Sequence, residues 1–369
     1  MILGAGPGGV AAAWRLRDRV AEDVEVMLVE REGVAEYLPG TIPTLLGETS
    51  PRHWHQRVTL RGIQVRAGEA DEVSGDGVKL DGRWIGADAV VAAPGLGLDA
   101  GRVPNSSSGV YALWDPHGAA GAAGAVREMQ RGVVAVLISS LPYRCPPAPY
   151  GMAMQLAEHY RTQDRKVRVI LTTPEEEPLA AISGGVPGFL KASCATAGVE
   201  LLTDFQPDLA SFLGNRGLRS TKGGSISYDL AVVIPPHTRS PLLAGLPGQG
   251  PLVEVSSGFE SAESGLFVVG DAAQTPLPRA ANVAAAAGRT AADAVLARLG
   301  LFSEQEPHLP QPECYVGHGG GLYSRISLRY PQGLPPTGEA EVRLEGPSES
   351  LAAGFEESFN RWRALRSEN

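Results

Sequence analysis

Gly4-Ala5-Gly6-Pro7-Gly8-Gly9 follows three apolar residues, Met1-Ile2-Leu3, at the start of the chain. Gly4, Gly6 and Gly9 stand at Gly-x-Gly-x-x-Gly spacing. A helical pattern runs over 10–20 and contains Ala11-Ala12-Ala13. Val24-Glu25-Val26-Met27-Leu28-Val29 then reads as a strand that ends at Glu30. Strand, glycine loop, helix, strand and acid, in that order, describe a dinucleotide cradle. Gly4 permits the tight turn. Gly6, with Pro7 beside it, lets a pyrophosphate approach the backbone, and Gly9 lets the helix lie on the strand. The helix N-terminus adds amide donors and a positive dipole end. Glu30 can accept hydrogen bonds from ribose hydroxyls, and Arg31 follows it.

The chain has 369 residues, 46 of them Gly and 29 Pro, enough for two or three domains with cores. With 43% hydrophobic and 20% charged residues it is composed like a globular protein. A net charge of -9 argues against nucleic acid and against a broad anionic-membrane patch, and leaves room for a basic redox partner. No apolar run approaches the roughly 18 residues of a transmembrane span. The first strand is short, so the expected start lies upstream of Met1. The expected location is cytoplasmic or peripheral at the membrane, and periplasmic if a leader precedes. Three cysteines imply no disulfide framework, and the seven scattered histidines offer no metal spacing.

Further strands are expected over 64–73, 77–85 and 88–95, the last ending at Ala93-Pro94-Gly95. A Ser-rich joint occupies 105–109. A strand over 132–138, a helix over 152–161 and a strand over 166–171 form a second strand–loop–helix–strand unit. Its loop carries Pro142, Cys145, Pro146, Pro147 and Pro149. Prolines remove amide donors and fix φ, so this loop is no ordinary phosphate cradle. A helix over 187–197 places Cys194 in a core. Strands over 199–203, 230–234 and 265–269 follow. The second stops at Pro235-Pro236 and the third at Gly270-Asp271. His237 reads as a surface-loop residue. An Ala-rich helix covers 282–299. Residues 304–369 are polar and Gly/Pro-rich and end in a helix over 350–366. There Leu351, Phe355, Phe359, Trp362 and Leu365 share a face, read as packing on the chain's own core rather than on a partner or a membrane.

The narrow motifs are Arg144-Cys145-Pro146-Pro147-Ala148-Pro149-Tyr150, Ile234-Pro235-Pro236, Pro278-Arg279 and Glu313-Cys314-Tyr315. With the glycine loop and Glu30, Ala93-Pro94-Gly95 and the 265–271 stretch, the chain resembles the flavoprotein subunit of flavocytochrome c sulfide dehydrogenase. More distantly, it is similar to sulfide:quinone oxidoreductase. The resemblance implies an α/β fold of two Rossmann-like three-layer dinucleotide-binding domains plus a small C-terminal region. It divides the chain into a FAD-binding domain (1–104 and 245–303), a second Rossmann-like domain (105–244) and a C-terminal interface region (304–369). FAD would be held by Gly4, Gly6, Pro7, Gly9, Glu30, Arg31, Ala93, Gly95, Gly270, Asp271 and Arg279. The helix near Asn282 would aim its positive end at the flavin pyrimidine ring. Arg279 stands where relatives carry a lysine.

The same resemblance makes Cys145 and Cys314 a redox disulfide that oxidises sulfide and passes electrons through FAD to a cytochrome c on another chain. A quinone reductase at the membrane face is the alternative, and a flavin-binding electron-transfer module without sulfide turnover is another. Four departures stand out. Gly151 occupies a place where members often carry Glu. Glu36-Tyr37-Leu38-Pro39-Gly40-Thr41 lacks the cysteine that tethers flavin in some members, so FAD is expected to be non-covalent. No cysteine lies near 111–114. The stretch 284–287 is all alanine.

Overall fold

The computed structural model describes residues 1–21, 24–103, 108–182, 184–212, 216–302, 308–334 and 337–367. Most of the Ser-rich joint at 105–109, and the domain limits proposed at 104/105 and 303/304, lie outside these residues. The helices are α1 (Pro7–Arg17), α2 (Thr41–Leu45), α3 (Pro116–Glu128), α4 (Ala148–Thr162), α5 (Val186–Thr196), α6 (Ala281–Arg298) and α7 (Ala352–Ala364).

Ile2–Leu3 is buried and forms the middle of a five-stranded parallel sheet. The order across it is Leu266–Val268, Val90–Ala92, Ile2–Leu3, Met27–Glu30, Gln64–Ala67. Strand order reverses beside Ile2–Leu3, which opens a crevice at the carboxyl ends of that strand and of Val90–Ala92. Both the glycine loop and Ala93-Pro94-Gly95 leave from there. A second parallel sheet runs Val110–Ala112, Leu230–Ile234, Arg131–Ile138, Lys166–Thr172, Val199–Leu202. Its own reversal, between Leu230–Ile234 and Arg131–Ile138, releases the Cys145 loop and Pro235-Pro236-His237.

Each sheet carries helices on one face only. α1 and α6 cover the first sheet, and α3, α4 and α5 cover the second. The opposite face of the first sheet packs on an antiparallel sheet of Ala70–Ser74, Gly77–Leu80 and Arg83–Gly86. The stretches 64–73 and 77–85, expected as single strands, are therefore each split in two. The second break falls at Asp81 and Gly82, both with positive φ (50° and 75°), a turn that the Asp-Gly pair encodes. A further antiparallel sheet, Glu313–Gly319, Leu322–Arg329 and Glu341–Ser348, was not anticipated in the polar tail. Its middle strand alternates buried and half-buried residues, a pattern masked by Arg and Ser on the open face.

Two helices begin earlier than periodicity suggests. α1 starts at Pro7 and α4 just before Pro149, in first turns where a missing N–H costs nothing. α1 and α6 touch backbone to backbone: a Cβ on Gly288 would lie 2.0 Å from the Gly8 carbonyl oxygen. Buried Asp293 on α6 then accepts two bonds from Arg15 on α1 (2.7 and 3.0 Å) and one from His308 (2.8 Å). Those partners outweigh burial and hold the Asp293 carboxyl below the usual range. No helix among the described residues is long and apolar enough to cross a membrane.

Gly288→Ala should force α6 off α1 and cost about 1–3 kcal/mol, the usual penalty of overpacking. Chemical denaturation checks it; an unchanged midpoint would mean that the two helices slide freely.

Candidate functional site

A cavity of about 1330 Å³ runs from the glycine loop to the two cysteines. It exceeds the roughly 300–1,000 Å³ of pockets for drug-sized ligands, as an elongated ligand requires. At one end lie Gly4, Gly6, Pro7, Glu30 and Arg31. Ala93, Gly95, Gly270, Asp271 and Arg279 line its course, and Cys145 and Cys314 close the other end. Gly9 does not face the cavity. It sits behind the loop, where a Cβ would come within 1.9 Å of the Gly4 carbonyl oxygen.

The cradle is preorganised. Gly4 has φ +91°, a region open to glycine, and a Cβ there would strike the Ala93 carbonyl oxygen. Gly6 has nothing within 4 Å of its Cβ position, so space stands in front of its backbone. Glu30 is anchored by the amides of Ala5 (2.6 Å) and Arg31 (2.9 Å). Arg31 itself is exposed and faces Glu69 across 3.5 Å. The first turn of α6 also lines the cavity, and no side chain caps it, so its free N–H groups form a positive end.

Cys145 and Cys314 are free thiols, each half-buried. Cys145 holds a left-handed backbone (φ 52°) that is rare for a residue with a side chain. Its N–H donates to the Arg279 carbonyl (3.0 Å), and its own carbonyl accepts from Ala148 (2.9 Å). The loop is thus tied both to the entry of α6 and to the start of α4. Cys314 lies on Glu313–Gly319, which packs on α4 along a seam of small residues. A Cβ on Gly317 would lie 2.5 Å from Gln155, and one on Gly319 would lie 2.4 Å from Glu158. On the helix side, a Cβ on Gly151 would meet Val316 at 3.2 Å and the Gly317 backbone at 3.3 Å. Glycine at 151 lets the strand of Cys314 approach the helix that follows Cys145. A side chain at 151 would have to push the strand or Val316 back by a few tenths of an ångström.

Burial pushes the Cys314 thiol up to about 12. Cys145 is pushed up further, by burial first and then by the negative charge that Cys314 and Asp271 can carry. Asp271 is itself raised by burial, opposed by the nearby cations Arg144 and Arg279. His237, expected on a surface loop, is instead buried. Its Nε2 accepts from Arg144 Nε (3.2 Å). Its Nδ1 therefore carries the proton and donates to the Pro235 carbonyl (3.1 Å). Burial and Arg144 pull His237 down to about 3, so it stays neutral and works as an acceptor. Arg144 also donates to the Leu96 carbonyl, and Asp271 and Glu36 are the nearest negative charges that offset its burial. The sequence hid this because His237 and Arg144 come from different strand ends of the second sheet.

α7 walls the cavity through Phe355, Ser358, Trp362, Leu365 and Arg366. Phe359 and Trp362 are buried in the core of the first sheet, against Tyr37 and Trp54. Leu365 stays exposed. Cys194 is fully buried on α5, away from the cavity lining. Among the described residues, no His/Cys/Asp/Glu group could hold a metal ion.

Residues 124–181 match the family model described as sulfide dehydrogenase (flavocytochrome c) flavoprotein chain, central. The matched stretch includes the Cys145 loop. The match agrees with the resemblance read from the motifs. Over the whole molecule, the fold is similar to sulfide:quinone oxidoreductase from Aquifex aeolicus: TM-score 0.80, 15% identity, 99% of this chain and 91% of that one. A chain of the Tetrahymena thermophila mitochondrial ATP synthase gives 0.73 at 14% identity, over 99% and 92%. The NAD-dependent persulfide reductase of A. fulgidus gives 0.63 at 17% identity, over 90% of this chain and 64% of that one. The architecture is that of the two-dinucleotide-domain flavoprotein oxidoreductases.

Raised thiol pKa values make both site cysteines poor nucleophiles when reduced. At pH 8, iodoacetamide should label Cys314 of the cofactor-free protein at least about tenfold more slowly than a peptide cysteine, and Cys145 more slowly still, allowing for the greater intrinsic reactivity of a more basic thiolate. The rate should climb steadily as pH rises to 10, because the thiols stay protonated below that. Peptide-like labelling at pH 8, read by mass spectrometry, would show that the thiolates are stabilised instead.

Proposed function

We propose that the chain is a FAD-dependent oxidoreductase that oxidises sulfide, or a similar small sulfur species, through a Cys145–Cys314 redox disulfide. The observation that carries this reading is one cavity with a dinucleotide cradle at one end and two cysteines at the other. The cradle fits FAD: Gly6 leaves its backbone open, Glu30 is anchored for the ribose, and Gly4, Pro7, Ala93, Gly95, Gly270, Asp271 and Arg279 line the path. Gly9 supports the loop from behind. Nothing in the segment 36–41 offers a thiol, so FAD is held non-covalently.

In the oxidised pair, hydrosulfide attacks one cysteine sulfur; a new S–S bond forms, the old one breaks, and the other cysteine leaves as thiolate. The net change is loss of two electrons and a proton from hydrosulfide, leaving sulfur at the zero oxidation level. Bound FAD supplies the two-electron acceptor. Burial disfavours the thiolate; the uncapped α6 N-terminus, Arg279 and Arg144 are the positive groups that line the same cavity. His237 keeps Arg144 in place by accepting its Nε–H. The proline-stiffened loop holds Cys145 at its left-handed turn and withholds the amide donors that a second dinucleotide would need.

The acceptor in this reading is a cytochrome c on a separate chain. The likeness in fold to a sulfide:quinone oxidoreductase keeps a quinone as the alternative. An anaerobic titration followed by flavin absorbance tests the chemistry. Sulfide should bleach the wild-type flavin, and Cys145→Ser and Cys314→Ser should each slow bleaching by about two orders of magnitude or more, as expected for residues acting as a unit. A flavin that stays oxidised with sulfide leaves a flavin-binding electron-transfer module as the better account. Added quinone or cytochrome c then separates the acceptors by which one restores colour.

Gly6 sits at φ -63° and ψ 173°, values that alanine adopts freely. Gly6→Ala should therefore keep the melting temperature of the cofactor-free protein, yet weaken FAD binding at least tenfold by filling the cradle, about 1.4 kcal/mol or more. Equal affinity by fluorescence titration would remove Gly6 from the cradle.

A further inference from the structure

Arg366 is 1% exposed, heading the fully buried side chains by volume. Its guanidinium stacks 4.3 Å above the Trp362 ring. Nη1 donates to the Trp362 carbonyl (2.8 Å) and Nε to the Ala5 carbonyl (3.0 Å). Nη2 is equally buried and has no hydrogen-bond partner among the described residues. The residue lines the cavity at the cradle end, with Glu30 as its facing negative charge. Burying a cation is costly, so its bonds to Ala5 and Trp362 and its stack on the Trp362 ring must hold it there.

Ala5 is the second residue of the glycine loop. Glu30 takes its N–H and Arg366 takes its carbonyl. In a planar trans peptide the carbonyl and the next N–H point opposite ways. Drawing the Ala5 carbonyl to Arg366 therefore turns the Gly6 N–H away from Arg366, toward the open side of the cradle. Two further bonds hold this end of the chain on the first domain: Trp14 Nε1 to the Leu365 carbonyl (2.9 Å) and the Thr59 N–H to the Arg366 carbonyl (2.8 Å).

We propose that Arg366 is a positioning residue of the dinucleotide cradle, and that docking of the C-terminal segment 352–367 on the glycine loop and binding of the adenosine diphosphate moiety are one coupled event. Arg366 aligns the Gly6 amide through its bond to the Ala5 carbonyl. This rests on the FAD reading above and goes beyond it, because it assigns to the cofactor site a residue from the last stretch of the chain. Coupling is reciprocal: if the docked segment raises ligand affinity, ligand must stabilise the docked segment.

The test uses the full chain, stripped of cofactor, with FAD and with ADP as probes. Arg366→Ala should weaken both about 10- to 100-fold, the worth of a hydrogen bond to a charged group. Arg366→Lys should recover part of the loss through its charge. In the wild type, ADP should slow amide hydrogen exchange across 352–367. Wild-type affinity in Arg366→Ala, or identical exchange in 352–367 with and without ADP, overturns the proposal. The exchange experiment needs no variant, so it decides the matter even if Arg366→Ala fails to fold. A wild type that binds neither FAD nor ADP defeats the FAD reading and this proposal together. Binding of both with no effect of Arg366 defeats this proposal alone.

Discussion

The close approach of α4 to the strand Glu313–Gly319 is the constraint on which the site depends. Gly317 and Gly319 on the strand, and Gly151 on the helix, remove the side chains that would hold the two apart. α4 begins three residues after Cys145, and the strand carries Cys314. The seam therefore brings together two cysteines far apart in sequence. Glycine at 151 thus suits the close packing of helix and strand.

A second backbone contact does the same for the cradle. Gly8 and Gly288 let α1 and α6 meet, so the N-terminal ends of both helices converge on one cavity. One end faces the expected diphosphate and the other faces the cysteines. Between them run the carboxyl ends of the strands, where Ala93-Pro94-Gly95 and Gly270-Asp271 leave the sheet. The overall fold is shared with a chain of an ATP synthase. The proposed sulfur chemistry therefore rests on the thiol pair and the proline loop rather than on the fold.

The electrostatics of the cysteine end follow from burial more than from charge pairing. Both thiols are raised, Asp271 is raised and His237 is lowered, each with desolvation as the leading cause. Such a place favours neutral groups, and a disulfide is neutral where two thiolates are not. Arg144 and Arg279 are lowered for the same reason, and Arg144 is held by His237 and Leu96 and offset by Asp271 and Glu36.

The glycine loop, Glu30, the Pro-filled second loop and the Ala-rich helix were legible in the sequence, because each is local. Glycine spacing, proline chemistry and a 3.6-residue period act within a few residues of each other. The split of 64–73 into two sheets, the antiparallel sheet of the tail and the burial of His237 were not legible, because each depends on partners distant in the chain. Arg366 had no signal: a lone arginine in a polar tail acquires meaning only when α7 lies on Tyr37 and Trp54 and sets the guanidinium on Ala5. Sequence alone thus determined the elements whose signals are local and the chemistry their residues can do. Tertiary structure decided which of those residues meet, because contacts between remote segments are made by packing, and packing has no local code.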